Sequence, residues 1–218
     1  FRALPNSAEH YAIINIADAR DIVIEGGGAR LVGERNDHMG NAGEWGHGCN
    51  IVGSDNVRIS DLVAEDCWGD GFYVGSTAAQ PYSSGVVLER IVANNNRRQG
   101  MSIVSARGLL CEDGRFLNTA GTNPQAGIDI EPNGPSDHLQ DVRIVRPVTA
   151  NNAGPGVSVY LPRLAGSTSA IAVVVDGLQD DGSVVGFSFG CPADAPLDGF
   201  VRFERPACRN SRESAMRA

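Results

Sequence analysis

Six glycines, at positions 48, 71, 100, 127, 156 and 186, stand at one point of a repeated pattern. The gaps between them are 23, 29, 27, 29 and 30 residues. A short alternating run follows each: CNIV, FYVG, MSIV, IDIE, VSVY and FSFG. Period-two alternation marks a strand with one buried face. The segment NVRISDLVAEDCWGDGFYV, from Asn56, aligns without a gap on GVVLERIVANNNRRQGMSI, from Gly85. A third copy, DVRIVRPVTANNAGPGVSV, starts at Asp141, and looser copies start near Arg20, Gly108 and Ala170. Helical periodicity is nearly absent. A repeat this short can bury its apolar side chains only against its neighbours. Three strands per repeat with no helix between copies predict a parallel coil, each turn about 4.8 Å from the next.

The segments NVRISDLVAEDCWGDGFYVGS and GVVLERIVANNNRRQGMSIVS resemble the coil consensus of right-handed parallel β-helix proteins of the pectate-lyase-like superfamily. The resemblance runs from about Tyr11 to about Pro206. It implies an all-β chain: a right-handed single-stranded parallel β-helix of about six coils, three short strands per coil, in one domain over 1–218. It also implies that the strand after each marker glycine belongs to the first sheet, whose outer face forms the binding groove. Loop lengths fit this. The link between second and third strands stays very short, whereas insertions fall after the first strand, at 76–84, 132–140, 162–169 and 191–198. Variable loops beside a constant scaffold are a usual home for function.

Composition narrows the partners. The net charge is −8 and all 18 basic residues are arginine. Nucleic acid is disfavoured, because phosphate binding needs a basic face, and lysine chemistry is excluded. No apolar run reaches membrane-spanning length, and no signal peptide is visible. The five cysteines form no CxxC motif. Cys49, Cys67 and Cys111 read as small buried hydrophobes, and Cys191 and Cys208 could pair. A stack of coils exposes apolar ends and strand edges. No capping helix is legible ahead of it, and SRESAMRA is a short candidate helix at its end. The chain is therefore expected to be a processed form or fragment, or to have its ends covered by a further segment or a second copy. A secreted, periplasmic or cell-surface location is expected.

Columns can be read across the copies. Two residues after the marker lie Asn50, Tyr73, Ser102, Asp129, Ser158 and Ser188; one residue before it lie His47, Asp70, Gln99, Ala126, Pro155 and Val185. Polar and charged groups gather in the first four coils, which places the groove there. Asp129 and Glu131 share the outer face of one strand, their bases about 6.5–7 Å apart. They are the first candidates for a pair of catalytic carboxylates, or for a weak calcium site. Asp70 is a third candidate, about 10 Å along the axis from Asp129. Arg97, Arg98 and Gln99 occupy the wall between, where arginine would bind acidic sugar groups. Tyr73 and Trp45 are candidate sugar-stacking rings, and His47 a candidate binding or acid–base group. His38, Glu44, Trp45 and His47 belong to a loop that could fold over the first-coil end of the groove. The Asn94–Asn96 run, with Asn151 and Asn152, reads as turn and ladder asparagine. EGGGARLVG opens no helix and reads against a phosphate loop.

The resemblance implies three chemistries on such a groove: hydrolysis by aspartates beside a GHG element, elimination by an arginine base with acid-bound calcium, and epimerisation. GHGCNIVGS resembles the first element but lies upstream of the acids. No NTD or RIK motif is present, and glutamine stands where the epimerases carry histidine. The expectation is a glycoside hydrolase cutting an extended polysaccharide, acidic sugars included, with two carboxylates and no certain cofactor; the alternatives are a lyase with an arginine base and acid-bound calcium, and a non-catalytic glycan-binding or adhesin β-helix.

Overall fold

The computed structural model describes residues 11–38 and 43–218. Among them, the strands form three parallel sheets in which every pairing joins one coil to the next. The first sheet holds Ala12–Ala17, His47–Val52, Phe72–Gly75, Met101–Ile103, Ile128–Ile130, Pro155–Tyr160, Val185–Gly190 and Ser214–Arg217. The second runs from Arg20–Glu25 to Gly199–Glu204, and the third from Arg30–Val32 to Ala207–Arg209. This is the right-handed parallel β-helix expected from the repeat. The six glycine-marked coils are extended at both ends. Ala12–Ala17 pairs with His47–Val52 and Ser214–Arg217 with Val185–Gly190. By register the marker position is held there by Ile13 and Ala215, so neither end carries the glycine signal. The SRESAMRA segment thus supplies a strand, not a helix: the first-sheet ladder offers it backbone partners. Whatever precedes Tyr11 lies outside the described residues.

The marker glycines stack. Cys49 pairs with Phe72, Phe72 with Met101, Met101 with Ile128 and Ile128 with Val157. The glycine before each is therefore in register with the next. Its chemistry follows from spacing. A Cβ built on Gly71, Gly100 or Gly127 would lie 2.7, 2.4 or 2.6 Å from the carbonyl oxygen of the next marker glycine. The chain turns into the first sheet so tightly that only hydrogen fits.

Inside the coil, side chains form ladders. Cys49, Phe72, Met101, Ile128 and Val157 make one; Ile51, Val74, Ile103, Ile130 and Val159 the next, all buried. Each full burial of such a side chain contributes about 1.5–3 kcal/mol. Corners are set by residues with positive φ. Asp66, Asn95, Asn118, Asn151 and Asn210 have φ of 52–58° after the third sheet. Asparagine and aspartate tolerate this left-handed geometry. Asn96 and Asn152 face inward instead. Asn96 accepts from the Cys67 N–H at 3.0 Å and donates to the Ala64 carbonyl at 3.2 Å; Asn152 does the same to Thr119 and Phe116. At the other corner, Arg90 and Arg146 take positive φ and reach back one coil to bind Asp61 and Asp113 through two nitrogens each.

All five cysteines are free. Cys191 and Cys208 do not pair, because Cys191 lies exposed in an insertion while Cys208 packs toward the interior beside Gly186. Burial pushes the Cys49 and Cys111 thiols up to about 12, so both stay protonated. No helix among the described residues is long and apolar enough to cross a membrane.

Candidate active site

The outward column of the first sheet runs Asn15, Asn50, Tyr73, Ser102, Asp129, Ser158 and Ser188 in direct register. Over its middle lies a cavity of about 650 Å³. Tyr73, Ser102, Asp129 and Ser158 form its floor. Glu44 and Trp45 come from the loop before the second coil, and Asn133 and Arg163 from insertions after the first-sheet strands. A second cavity of about 570 Å³ continues toward the first coil and shares Trp45 and Tyr73 with the first.

Asp129 is 1% exposed. Its Oδ2 accepts from Gln99 Nε2 at 2.8 Å. The orientation of that amide is fixed, because Gln99 Oε1 accepts from the Ala126 N–H at 2.9 Å. Asp129 Oδ1 is buried and makes no hydrogen bond of ordinary geometry, although the Ser158 hydroxyl and the Glu131 carboxyl stand beside the group. Burial raises the Asp129 pKa well above the carboxylate range; the Glu131 charge adds to this, and Arg98 works against it. When Asp129 is protonated the proton belongs on Oδ1, since Oδ2 already accepts from Gln99. The carboxyl thus holds its proton more strongly than an exposed one, in the floor of the cavity.

Glu131 sits two residues on, between two guanidinium groups: Oε2 lies 3.8 Å from Arg98 Nη2 and Oε1 3.4 Å from Arg163 Nη1. Arg98 is the hub of the acids. Besides Glu131 it meets Asp70 at 3.4 Å and Glu44 at 3.4 Å. Burial acts to lower its pKa, but the charges of Asp70, Asp129, Glu44 and Glu131 outweigh it and the net shift is upward. Asp70 is fully buried beneath the cavity. It accepts from Ser102 Oγ at 2.8 Å, and its own N–H donates to His47 Nδ1 at 3.0 Å. The His47 ring stacks on Tyr73 with centroids 5.2 Å apart. Burial, with the Asp70 and Asp137 charges behind it, pushes the Tyr73 phenol up to about 12.

The residues singled out from sequence thus divide. Asp129, Glu131, Arg98, Tyr73 and Trp45 line the first cavity, and His47 lines the second with Trp45 and Tyr73. Two expected sugar contacts stand elsewhere. Gln99 is fully buried and holds Asp129 rather than facing the groove. Arg97 turns under the loop: its guanidinium lies 3.8 Å from the centre of the Trp68 ring and donates to the Gly43 carbonyl at 3.0 Å. Adjacent residues of a turn diverge, so Arg97 and Arg98 could not both face the cavity. His38 also leaves the groove, stacked on Trp68 at 3.6 Å. Met39 to Ala42 of that loop lie outside the described residues. Of the two acids weighed for calcium, Asp129 and Glu131, the second lies between the Arg98 and Arg163 guanidinium groups. Arg163 and Asn133 were not foreseen. Insertions do not align between copies, so no column exposes them; only their place after first-sheet strands marks them as groove neighbours.

No family model matches the chain. Two proteins of Bacillus subtilis (strain 168) are similar in sequence. Uncharacterized protein YclG is 30% identical over 216 residues, 92% of this chain and 35% of that protein. The SPbeta prophage-derived uncharacterized protein YorA is 29% identical over 157 residues, 65% and 26% of the two chains. The chain spans about a third or less of the curated relatives it matches. Two solved structures share its shape. One is the tailspike protein gp49 of Acinetobacter baumannii bacteriophage Fri1, a capsular polysaccharide depolymerase, with TM-score 0.56, 15% identity, and 87% of this chain and 34% of that chain covered. The other is the catalytic domain of a GH87 alpha-1,3-glucanase in complex with nigerose, with TM-score 0.61, 13% identity, and 94% and 44% covered. The likeness is one of fold. The β-helix coils superpose across nearly the whole chain, and at these identities the site must be argued from its own residues.

Proposed function

We propose that this β-helix is a carbohydrate-active enzyme, a glycoside hydrolase that cuts a polysaccharide lying along the first sheet. The observation that carries the reading is Asp129: a buried acid, bound on one oxygen by Gln99, in the floor of a cavity that Glu131 also lines. Hydrolysis needs one carboxyl protonated and one ionised. Asp129 Oδ1–H gives its proton to the glycosidic oxygen, and the bond from that oxygen to the anomeric carbon breaks with its electron pair on the oxygen. Glu131 faces the positive charge that develops on the anomeric carbon, either attacking it or taking a proton from the water that does. Asp70 acts through Ser102 and Arg98, setting the floor beneath the sugar. Trp45 and Tyr73 supply ring surfaces, and the tailspike depolymerase and glucanase supply precedent for glycan-cutting on this fold. Such a substrate points to action outside the cell.

Elimination is less well served. It needs a base, and Arg98 is kept charged by the acids around it while Tyr73 is pushed up to about 12. The test is product chemistry. Released reducing ends without the ultraviolet absorbance of an unsaturated uronate support hydrolysis. Absorbing products would establish a lyase, and bound glycan recovered uncut would establish a binding module. Folded Asp129→Asn and Glu131→Gln variants that cut at the wild-type rate would remove these residues from the chemistry.

A further inference from the structure

The groove has two compartments of different character. Among the described residues, the second is lined by no aspartate, glutamate or arginine. Its floor is Asn15 and Asn50 on neighbouring coils, joined by a hydrogen bond from Asn50 Nδ2 to Asn15 Oδ1 at 2.8 Å. That bond leaves an amide NH2 on one residue and a carbonyl on the other, a donor beside an acceptor. A sugar hydroxyl is both donor and acceptor, so it suits this floor; a carboxylate, which only accepts, does not.

The first compartment contains cations, but acids already hold them. Arg98 faces Asp70, Glu44 and Glu131, and Arg163 faces Glu131. Leaving Asp129 out of the count, two guanidinium groups stand against three carboxylates. The local balance is one negative charge, on a chain whose net charge is −8. A uronate or sulfate entering this space would lose water and find each guanidinium group already facing a carboxylate.

We propose that the groove is built for a neutral polysaccharide, a chain of uncharged hexoses whose neighbouring units lie across both compartments, with Trp45 and Tyr73 at their junction. This rests on the glycan-cutting reading above. It replaces the acidic sugar suggested by the Arg97–Arg98 pair, since Arg97 is turned away and Arg98 is already bound.

The experiment is a binding comparison on an immobilised glycan panel that includes polyuronates and the same polymers after chemical reduction of their carboxyl groups. Linkage is then constant and only charge changes. The 218-residue chain should bind reduced or naturally neutral glycans at least about tenfold more tightly than uronate or sulfated ones. Binding of the neutral chains should change less than about twofold between low and high salt. Asn50→Arg, with unchanged thermal unfolding, should narrow the preference by adding a cation to the second compartment. Preference for acidic glycans, or an Asn50→Arg variant with unaltered selectivity, would overturn this inference and leave the cutting reading intact. Binding to no glycan of either kind would overturn both.

Discussion

Replacing Gly100 by alanine tests the stacking of the marker glycines through a single methyl group. That methyl would sit 2.4 Å from the Gly127 carbonyl oxygen and 3.1 Å from Phe116 Cβ. The nearer atom is backbone, held in the parallel ladder between Met101–Ile103 and Ile128–Ile130, and cannot rotate aside. Relief requires two coils to part at the foot of the Asp129 strand. Overpacking of this kind costs about 1–3 kcal/mol, and a rigid backbone neighbour places this site at the upper end. For a chain of this size each kcal/mol shifts Tm by about 2–4 °C, so a fall of about 6–12 °C is expected. The control is Gly134→Ala, where no atom lies within 4 Å of the added carbon. That change should be neutral or stabilise by up to about 1 kcal/mol through the unfolded chain. Thermal and urea unfolding of the two variants, followed by circular dichroism, makes the comparison. A Gly100→Ala protein that melts within about 2 °C of the Gly134→Ala protein would refute the steric argument.

Three further expectations concern the site and its supports. Because the Asp129 pKa is raised in the folded state, the fold binds a proton that the unfolded chain has released; stability should therefore fall as pH rises from the ordinary carboxylate range through the folded pKa, and Asp129→Asn should abolish that fall, as read from urea midpoints across pH. Gln99→Leu removes the hydrogen bond to Asp129 Oδ2 and strands the buried Ala126 N–H, so it should cost about 1–3 kcal/mol and move the alkaline limb of the pH–rate profile upward; an unmoved limb would deny Gln99 its positioning role. Asn96→Ala leaves the Cys67 N–H and the Ala64 carbonyl without their partner and should destabilise by about 2–4 kcal/mol in denaturant titration, whereas Asn94→Ala, at a half-buried position, should change little.

The coil was legible because stacking writes itself into sequence as columns. The alternation around Asp129 assigned its strand and its outward face, and the asparagines after the third sheet announced their turns. What stacking does not write was harder to read. Ile13 and Ala215 occupy the marker position without being glycine, so the first and last first-sheet strands carried no flag. The divergence of Arg97 and Arg98 depends on the path of a turn. The Gln99–Asp129 bond joins one coil to the next through side chains whose columns differ, and no pattern along the chain predicts it. Arg163 enters the groove from an insertion with no counterpart in other copies.

The proposed hydrolysis turns on the protonation of one carboxyl. Its most direct measurement follows the side-chain carboxyl carbon of each aspartate by NMR as pH is raised, with Asp129→Asn used to assign the signal. Asp129 should keep its proton well after the exposed aspartates have lost theirs. A signal from Asp129 that titrates together with those exposed groups would contradict the role of proton donor, and with it the proposed hydrolysis.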